Sequence, residues 1–227
     1  MNESTPVVHI YFLLDRSGSM ASIASDVIGG FNSFLADQKA DGADATMTLV
    51  QFDSQDPHEV LSAAAPIGEV RDLSPATFLP RGGTPLYDAM GHVIADATIR
   101  AEQLAARRDR AEEILMVTFT DGEENQSVEY DRQKIFDLIK KREEAGWTFA
   151  YLGANQDSYA EAGRIGLSAG GTQNFKADAA GTAVAYASLS GAVATRRRKL
   201  RTGERFDRGD LFEGHKAAED DLERRQD

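Results

Sequence analysis

The chain has 227 residues, of which 41% are hydrophobic, and its 37 acidic and 25 basic side chains give a formal charge of −12. That size permits a full core in one domain, and the charge opposes long-range attraction to nucleic acid or to an anionic membrane. With no cysteine there is neither a disulfide nor a thiolate metal site, and no run of about 18 apolar residues exists to span a bilayer.

The first six residues carry neither a basic region nor an apolar signal core, so a cytoplasmic protein is expected. Residues 7–14, VVHIYFLL, are continuously apolar, as in a strand covered on both faces. Directly after it, Asp15-Arg16-Ser17-Gly18-Ser19 sets a carboxylate and two hydroxyls on a tight turn. Such oxygen donors suit a hard divalent cation. Ile23, Val27, Phe31 and Phe34/Leu35 then recur at helical spacing.

Residues 45–52 read as a second strand and 58–65 as a weaker edge strand; the turn-rich 53–57 between them predicts an antiparallel hairpin. Gly82-Gly83-Thr84-Pro85 precedes a helical stripe of Leu86, Met90, Val93/Ile94, Ala97, Ala101 and Leu104. Pro85 suits the first helical position, which makes Thr84 the expected N-cap. Residues 114–119 form another buried strand, ending in Thr120-Asp121-Gly122. A short helix through Ile135, Leu138/Ile139 and Arg142 stops at Gly146, and 147–152 is again strand-like. Next come a short helix over 159–165 capped by Asp157, a last strand over 172–175, and a long helix over 178–200 with a mostly Ala and Ser inner face. This alternation predicts a doubly wound α/β fold: a mainly parallel sheet, one antiparallel edge strand, and helices on both faces.

The expected domain spans 1–200. Residues 201–227 are charged, with Phe206, Leu211, Phe212 and Leu222 as the available anchors; they read equally as a mobile tail or a docked terminal element. The basic run Arg196–Lys199 with Arg201 reads as cations complementing a helix C-terminus rather than a nucleic-acid patch.

In an open α/β sheet, sites gather at the carboxyl ends of strands, where Asp15 and Asp121 both fall. Taken singly, Ser17, Ser19 and Thr84 have an ordinary use as helix caps, and Asp121-Gly122 as a turn. Together, Asp15–Ser19, Gly82–Ala89 and Thr118–Gly122 resemble the von Willebrand factor A family and its metal-ion-dependent adhesion site. Thr84–Ala89 looks more like bacterial stand-alone members than vertebrate adhesion proteins. The resemblance implies that Ser17 and Ser19 ligate a metal through their hydroxyls. It implies also that Thr84, Asp15 and Asp121 act on the metal directly or through water. Mg2+ is the expected cation, with Mn2+ or Ca2+ compatible with the same oxygen donors. The expected partner is a protein that supplies an Asp or Glu to the metal. Relatives of the bacterial kind accompany stress-response systems or ATPase chaperones.

Two other functions compete. A Mg2+-dependent phosphotransferase or phosphatase also places an Asp after its first strand, but its usual second Asp two residues later is here Ser17. His9, His58, His92 and His215 show no metal-type or triad-type spacing, and Gly29-Gly30, Gly82-Gly83 and Gly170-Gly171 fit no phosphate loop. The chain is therefore expected not to be an enzyme. A metal-independent scaffold would use the sheet edge or the charged tail. Glu123, Glu124, Asn125, Asn155, Gln156 and Asp157 follow strands and are candidate rim residues; Asp53 reads as a turn residue and Asp88 as a first-turn helix acid.

Overall fold

The computed structural model describes residues 7–154 and 157–216. Strands β1 (Val7–Asp15), β2 (Ala45–Asp53), β3 (Asp56–Pro66), β4 (Glu112–Thr120), β5 (Thr148–Ala154) and β6 (Thr172–Phe175) form one sheet in the order β3-β2-β1-β4-β5-β6. Only β3 runs antiparallel to its neighbour; β2, β1, β4, β5 and β6 are parallel. This is the mainly parallel, doubly wound α/β architecture with an antiparallel edge that the sequence predicts.

Alternation along β1 explains why its run is apolar throughout. Ile10, Phe12 and Leu14 face one core, with residues of helices α1 (Ala24–Ala40) and α5 (Ala179–Thr202). Tyr11 and Leu13 face the other, with residues of α2 (Leu86–Arg107), α3 (Arg132–Glu144) and α4 (Ser158–Arg164). Each face is thus covered by helices, and β1 sits at the centre of the sheet. In its register Leu14 lies opposite Phe119 and Asp15 opposite Phe52. The ends of β1 and β4 therefore arrive side by side.

The buried face of α5 is not the plain Ala/Ser surface expected. Tyr186 stacks on Phe119, with ring centroids 4.6 Å apart, and lies parallel to Phe12 at 6.4 Å. Gly30 of α1 makes room for it: a β-carbon there would stand 2.2 Å from Tyr186 Cδ2. Lys199 and Arg201 stand in the last turn of α5, as expected of cations at a helix C-terminus, but Arg196 and Arg197 are buried. Arg197 is fully buried and donates to the carbonyls of Gln38 and Gly42, both at 2.8 Å, and to Asp44. Arg196 donates to Thr148 Oγ1 and to the Asp207 carbonyl, with its guanidinium 4.0 Å from the Phe206 ring. These cations are buried because each meets acceptors, which a local sequence pattern does not reveal.

Beyond α5, Arg208 pairs with Glu113, and Leu211 and Phe212 are buried in the core on the α1/α5 side. The Phe212 N–H donates to the Gly170 carbonyl. Leu222, the fourth anchor named above, lies outside the described residues. Among the described residues, no helix is long and apolar enough to cross a membrane.

Candidate metal centre

At the carboxyl edge of β1 the chain turns sharply, and Asp15 organises the turn. Its Oδ1 accepts the Ser17 N–H at 2.6 Å, and its Oδ2 accepts the Thr120 hydroxyl at 2.6 Å. Ser17 Oγ and Ser19 Oγ lie 3.0 Å apart, and Ser19 Oγ donates to Asp121 Oδ1 at 2.6 Å. A continuous set of polar contacts therefore joins the β1 loop to the end of β4.

Thr84 reaches the same place from the third loop. A β-carbon built on Gly122 would stand 3.0 Å from Thr84 Oγ1, 3.6 Å from Ser19 Oγ and 3.8 Å from Asp15 Oδ2. Asp15, Ser17, Ser19, Thr84 and Asp121, 106 positions apart at the extremes of sequence, thus come together. Asp15, Ser17, Thr84 and Asp121 are buried, whereas Ser19 is exposed.

The capping roles are not what these hydroxyls do. Ser17 precedes a short 3-10 turn, Gly18–Ile23, without a side-chain cap bond. Helix α2 has Pro85, not Thr84, at its N-cap, also without a side-chain bond. Pro85 thus sits one position earlier than its usual helical place. The Thr84 N–H donates to Asn125 Oδ1 at 2.9 Å, and its carbonyl accepts the Asn125 N–H at 3.1 Å.

Several supporting residues escaped the sequence reading. Arg16, between the two site positions, is buried and donates to Asp53 Oδ2 from Nε (2.9 Å) and Nη2 (2.6 Å), with further contacts to Gln51 and Glu59. Asp53 also accepts from Arg81 and, through Oδ1, from the Gln55 N–H at the hairpin turn. Backbone bonds from Gly18 N–H to Gly82 and from Arg81 N–H to Arg16 tie the first loop to the glycine loop. Asp88 is more than a first-turn acid: its carboxylate accepts three N–H groups, from Val128, Glu129 and Tyr130. Glu124 accepts the N–H groups of Tyr87, Gln126 and Ser127, so it braces its loop instead of standing on a rim. Asp157 caps α4 through Ala160. Glu123 is exposed; Asn155 and Gln156 lie outside the described residues.

Burial pushes the Asp15 carboxyl up to about 7, against the hydrogen bonds from Thr120 and Ser17, and the charge of Asp121 adds to the rise. Burial likewise raises Asp121 against the bond from Ser19. Two carboxylates brought together out of water without a cationic side chain repel one another. Such a pair with three hydroxyls is an all-oxygen donor set that fits Mg2+, Mn2+ or Ca2+ and lacks the soft donors other metals favour. Thr84 Oγ1, Ser19 Oγ and Asp15 Oδ2 face one another around Gly122.

The profile of the von Willebrand factor type A domain matches residues 9–187. Solved structures with the same fold include the SpRpn10 VWA domain (12% identity, TM-score 0.54, covering 80% of this chain and 94% of that one). The pilus adhesin SpaC from Lactobacillus rhamnosus GG is similar at 15% identity with a TM-score of 0.62, over 86% of this chain and 31% of that one. Proximal thread matrix protein 1 from the mussel byssus, with a zinc-occupied MIDAS motif, is similar at 15% identity and 0.53, over 88% of this chain and 49% of that one. The chain thus spans nearly all of the first, about a third of the second and half of the third. No curated protein matches it significantly. Domains of this kind are generally interaction or adhesion modules rather than enzymes, some with a metal at the adhesion site. With well over half of its length matched, the chain belongs to the von Willebrand factor type A domain family.

Proposed function

We propose that this domain binds a protein partner through a divalent cation, Mg2+ in the first instance, held by Asp15, Ser17, Ser19, Thr84 and Asp121. The observation that supports this reading most is the meeting of Thr84 Oγ1, Ser19 Oγ and Asp15 Oδ2 around Gly122. Three loops donate oxygens to one point although none of the hydroxyls is used as a helix cap. When bound there, the cation supplies a Lewis-acidic position open to an Asp or Glu carboxylate of the partner.

The chain's own residues do the rest. Asp15 and Asp121 provide the negative charge that retains the ion. Ser17, Ser19 and Thr84 are neutral, so the ion keeps most of its charge for the partner's carboxylate. Thr120 holds the second oxygen of Asp15 in place. No nucleophile or general base stands in this reading, and recognition proceeds without a bond broken in either partner. The setting we propose is cytoplasmic, with neither nucleic acid nor membrane as ligand, given the charge of −12. The segment that follows α5 packs on the core through Leu211 and Phe212 and supplies none of these oxygens.

Affinity capture with Mg2+ and with chelator, beside a Ser17→Ala/Ser19→Ala chain, tests the reading. A partner retained only by the unmodified chain with metal supports it. Partners indifferent to metal and to the substitutions overturn it and point to the sheet edge or the C-terminal segment.

A further inference from the structure

We propose that Asp53 is a positioning residue for the oxygen cluster, acting through Arg16 and Arg81 to hold two of the loops that bring those oxygens together. The proposal rests on the cation reading given above and concerns what sets the geometry of that site. Asp53 closes β2, and its side chain is fully buried. One oxygen, Oδ2, accepts from Arg16 Nε at 2.9 Å, from Arg16 Nη2 at 2.6 Å and from Arg81 Nε at 2.9 Å. The other, Oδ1, accepts the N–H groups of Gln55 and Asp56 at 2.7 Å and 3.2 Å. A single carboxylate thus ties the turn between β2 and β3 to two arginines. Arg16 stands between Asp15 and Ser17, and Arg81 three residues before Thr84. Each guanidinium therefore belongs to a loop that carries site oxygens, and Asp53 is where the two meet.

The backbone follows the side chains. The Arg16 N–H donates to the Phe52 carbonyl at 2.9 Å, and the Arg81 N–H to the Arg16 carbonyl at 2.8 Å. The Gly18 N–H donates to the Gly82 carbonyl and the Ser54 N–H to the Gly83 carbonyl, both at 3.0 Å. Gly82, at φ +67°, permits the approach: a β-carbon there would stand 2.5 Å from Ser54 Oγ.

An ion pair taken out of water adds little net stability, because desolvation offsets the attraction. What it supplies is geometry, since a guanidinium forms its hydrogen bonds in a fixed planar fork. Burial would raise the Asp53 carboxyl, but the bonds from Gln55, Arg81 and Arg16 hold it below its ordinary value, so the group is ionised. Charge matters as well. Arg16 follows Asp15 directly in sequence, yet its guanidinium is engaged by Asp53, Gln51 and Glu59. Arg16 and Arg81 balance Asp53 and Glu59, which leaves the carboxylates of Asp15 and Asp121 to a cation.

The test uses the full chain and its Asp53→Asn, Arg81→Gln and Arg81→Lys variants. Amide hydrogen exchange is followed by NMR without metal, and Mg2+ is titrated by calorimetry well below each denaturation midpoint. Asp53→Asn is expected to speed exchange at the Gly18 and Arg81 amides at least about tenfold relative to amides inside β1 and β4. Mg2+ affinity should fall about tenfold or more, as for other residues that orient a ligand. Arg81→Gln, at a side chain 42% exposed, supplies the same comparison should Asp53→Asn not fold. Arg81→Lys keeps one charged donor and is expected to retain most of the affinity. A residue that merely stabilises the fold would speed exchange throughout the sheet and leave the Mg2+ affinity of the folded chain unchanged. That result overturns the proposal, as does no change in either measurement. If the unmodified chain binds no Mg2+, the cation reading fails by itself, and exchange at Gly18 and Arg81 decides the positioning role.

Discussion

Thr84 and Asn125 hold each other by two hydrogen bonds, one from the Thr84 N–H to Asn125 Oδ1 at 2.9 Å and one from the Asn125 N–H to the Thr84 carbonyl at 3.1 Å. The start of α2 and the loop that carries Asp121 are thereby one unit. Asn125→Ala removes the side-chain half and leaves the Thr84 N–H to find water. We expect a stability loss of about 1 kcal/mol in urea denaturation. Metal held by Thr84 should suffer more, with Mg2+ affinity reduced roughly tenfold, as for other residues that orient a ligand. Calorimetric Mg2+ titration checks this; unchanged affinity would detach Thr84 from the metal.

Gly122 offers a cleaner perturbation. Its φ is not among the positive values of this chain, so alanine is free of backbone strain. Its new methyl would stand 3.0 Å from Thr84 Oγ1 and beside Ser19 Oγ and Asp15 Oδ2. Gly122→Ala should lower Mg2+ affinity by at least about tenfold, near 1.4 kcal/mol. Stability without metal should change by no more than about 1 kcal/mol, because only a small shift of Thr84 is needed. Full Mg2+ affinity in this variant would mean that the ion does not occupy the space between these oxygens.

The two-sided burial of β1 and β4 was legible because both faces of a covered strand are apolar. Asp15 and Thr120 extend these strands by one residue beyond their apolar runs, as polar groups that the site uses. The supporting shell was not legible. Arg16, Asp53, Asp88 and Glu124 each resemble a surface charge locally, and each has a partner more than 35 residues away in sequence. Asp88, for instance, reads as a helix-start acid because nothing near it in sequence shows the three N–H groups that converge on it. Arg196 and Arg197 were misread for the same reason: a cation is buried only where acceptors wait, and theirs come from α1, β5 and the C-terminal segment. His58 and His92 are distant in sequence and adjacent in space.

Without metal, Asp15 works against the fold. Its folded-state carboxyl is raised from 3.8 to about 7, so between those values the folded chain holds a proton that the unfolded chain has released. Metal-free stability attributable to this group therefore falls as pH rises through that window. Asp15→Asn keeps an acceptor for the Ser17 N–H and removes the buried charge. In chelator at pH 8 the variant should be more stable than the unmodified chain, by on the order of 1–3 kcal/mol. The difference should shrink toward pH 4. With saturating Mg2+ the order should reverse, because only the carboxylate gains from the ion. Urea denaturation at the two pH values, with and without metal, tests this. A gap between the two chains that does not vary with pH would remove Asp15 as the titrating group.

The C-terminal segment carries a different load. Phe212 is fully buried in the core on the α1/α5 side, and its N–H is taken by Gly170 before β6. Arg208 reaches Glu113 at the start of β4, and Arg196 and Arg208 lie over the ring of Phe206, at 4.0 Å and 4.9 Å. These contacts are made at the opposite end of β4 from Asp121, so they support the sheet without touching the oxygen cluster. Phe212→Ala removes a whole aromatic ring from a packed interior and should cost about 3 kcal/mol or more. Mg2+ affinity of the folded fraction, measured well below the new midpoint, should remain within about twofold. A negligible stability change would mean that the ring is not packed in solution. A large loss of metal affinity at full folding would instead couple this segment to the site across the length of the sheet.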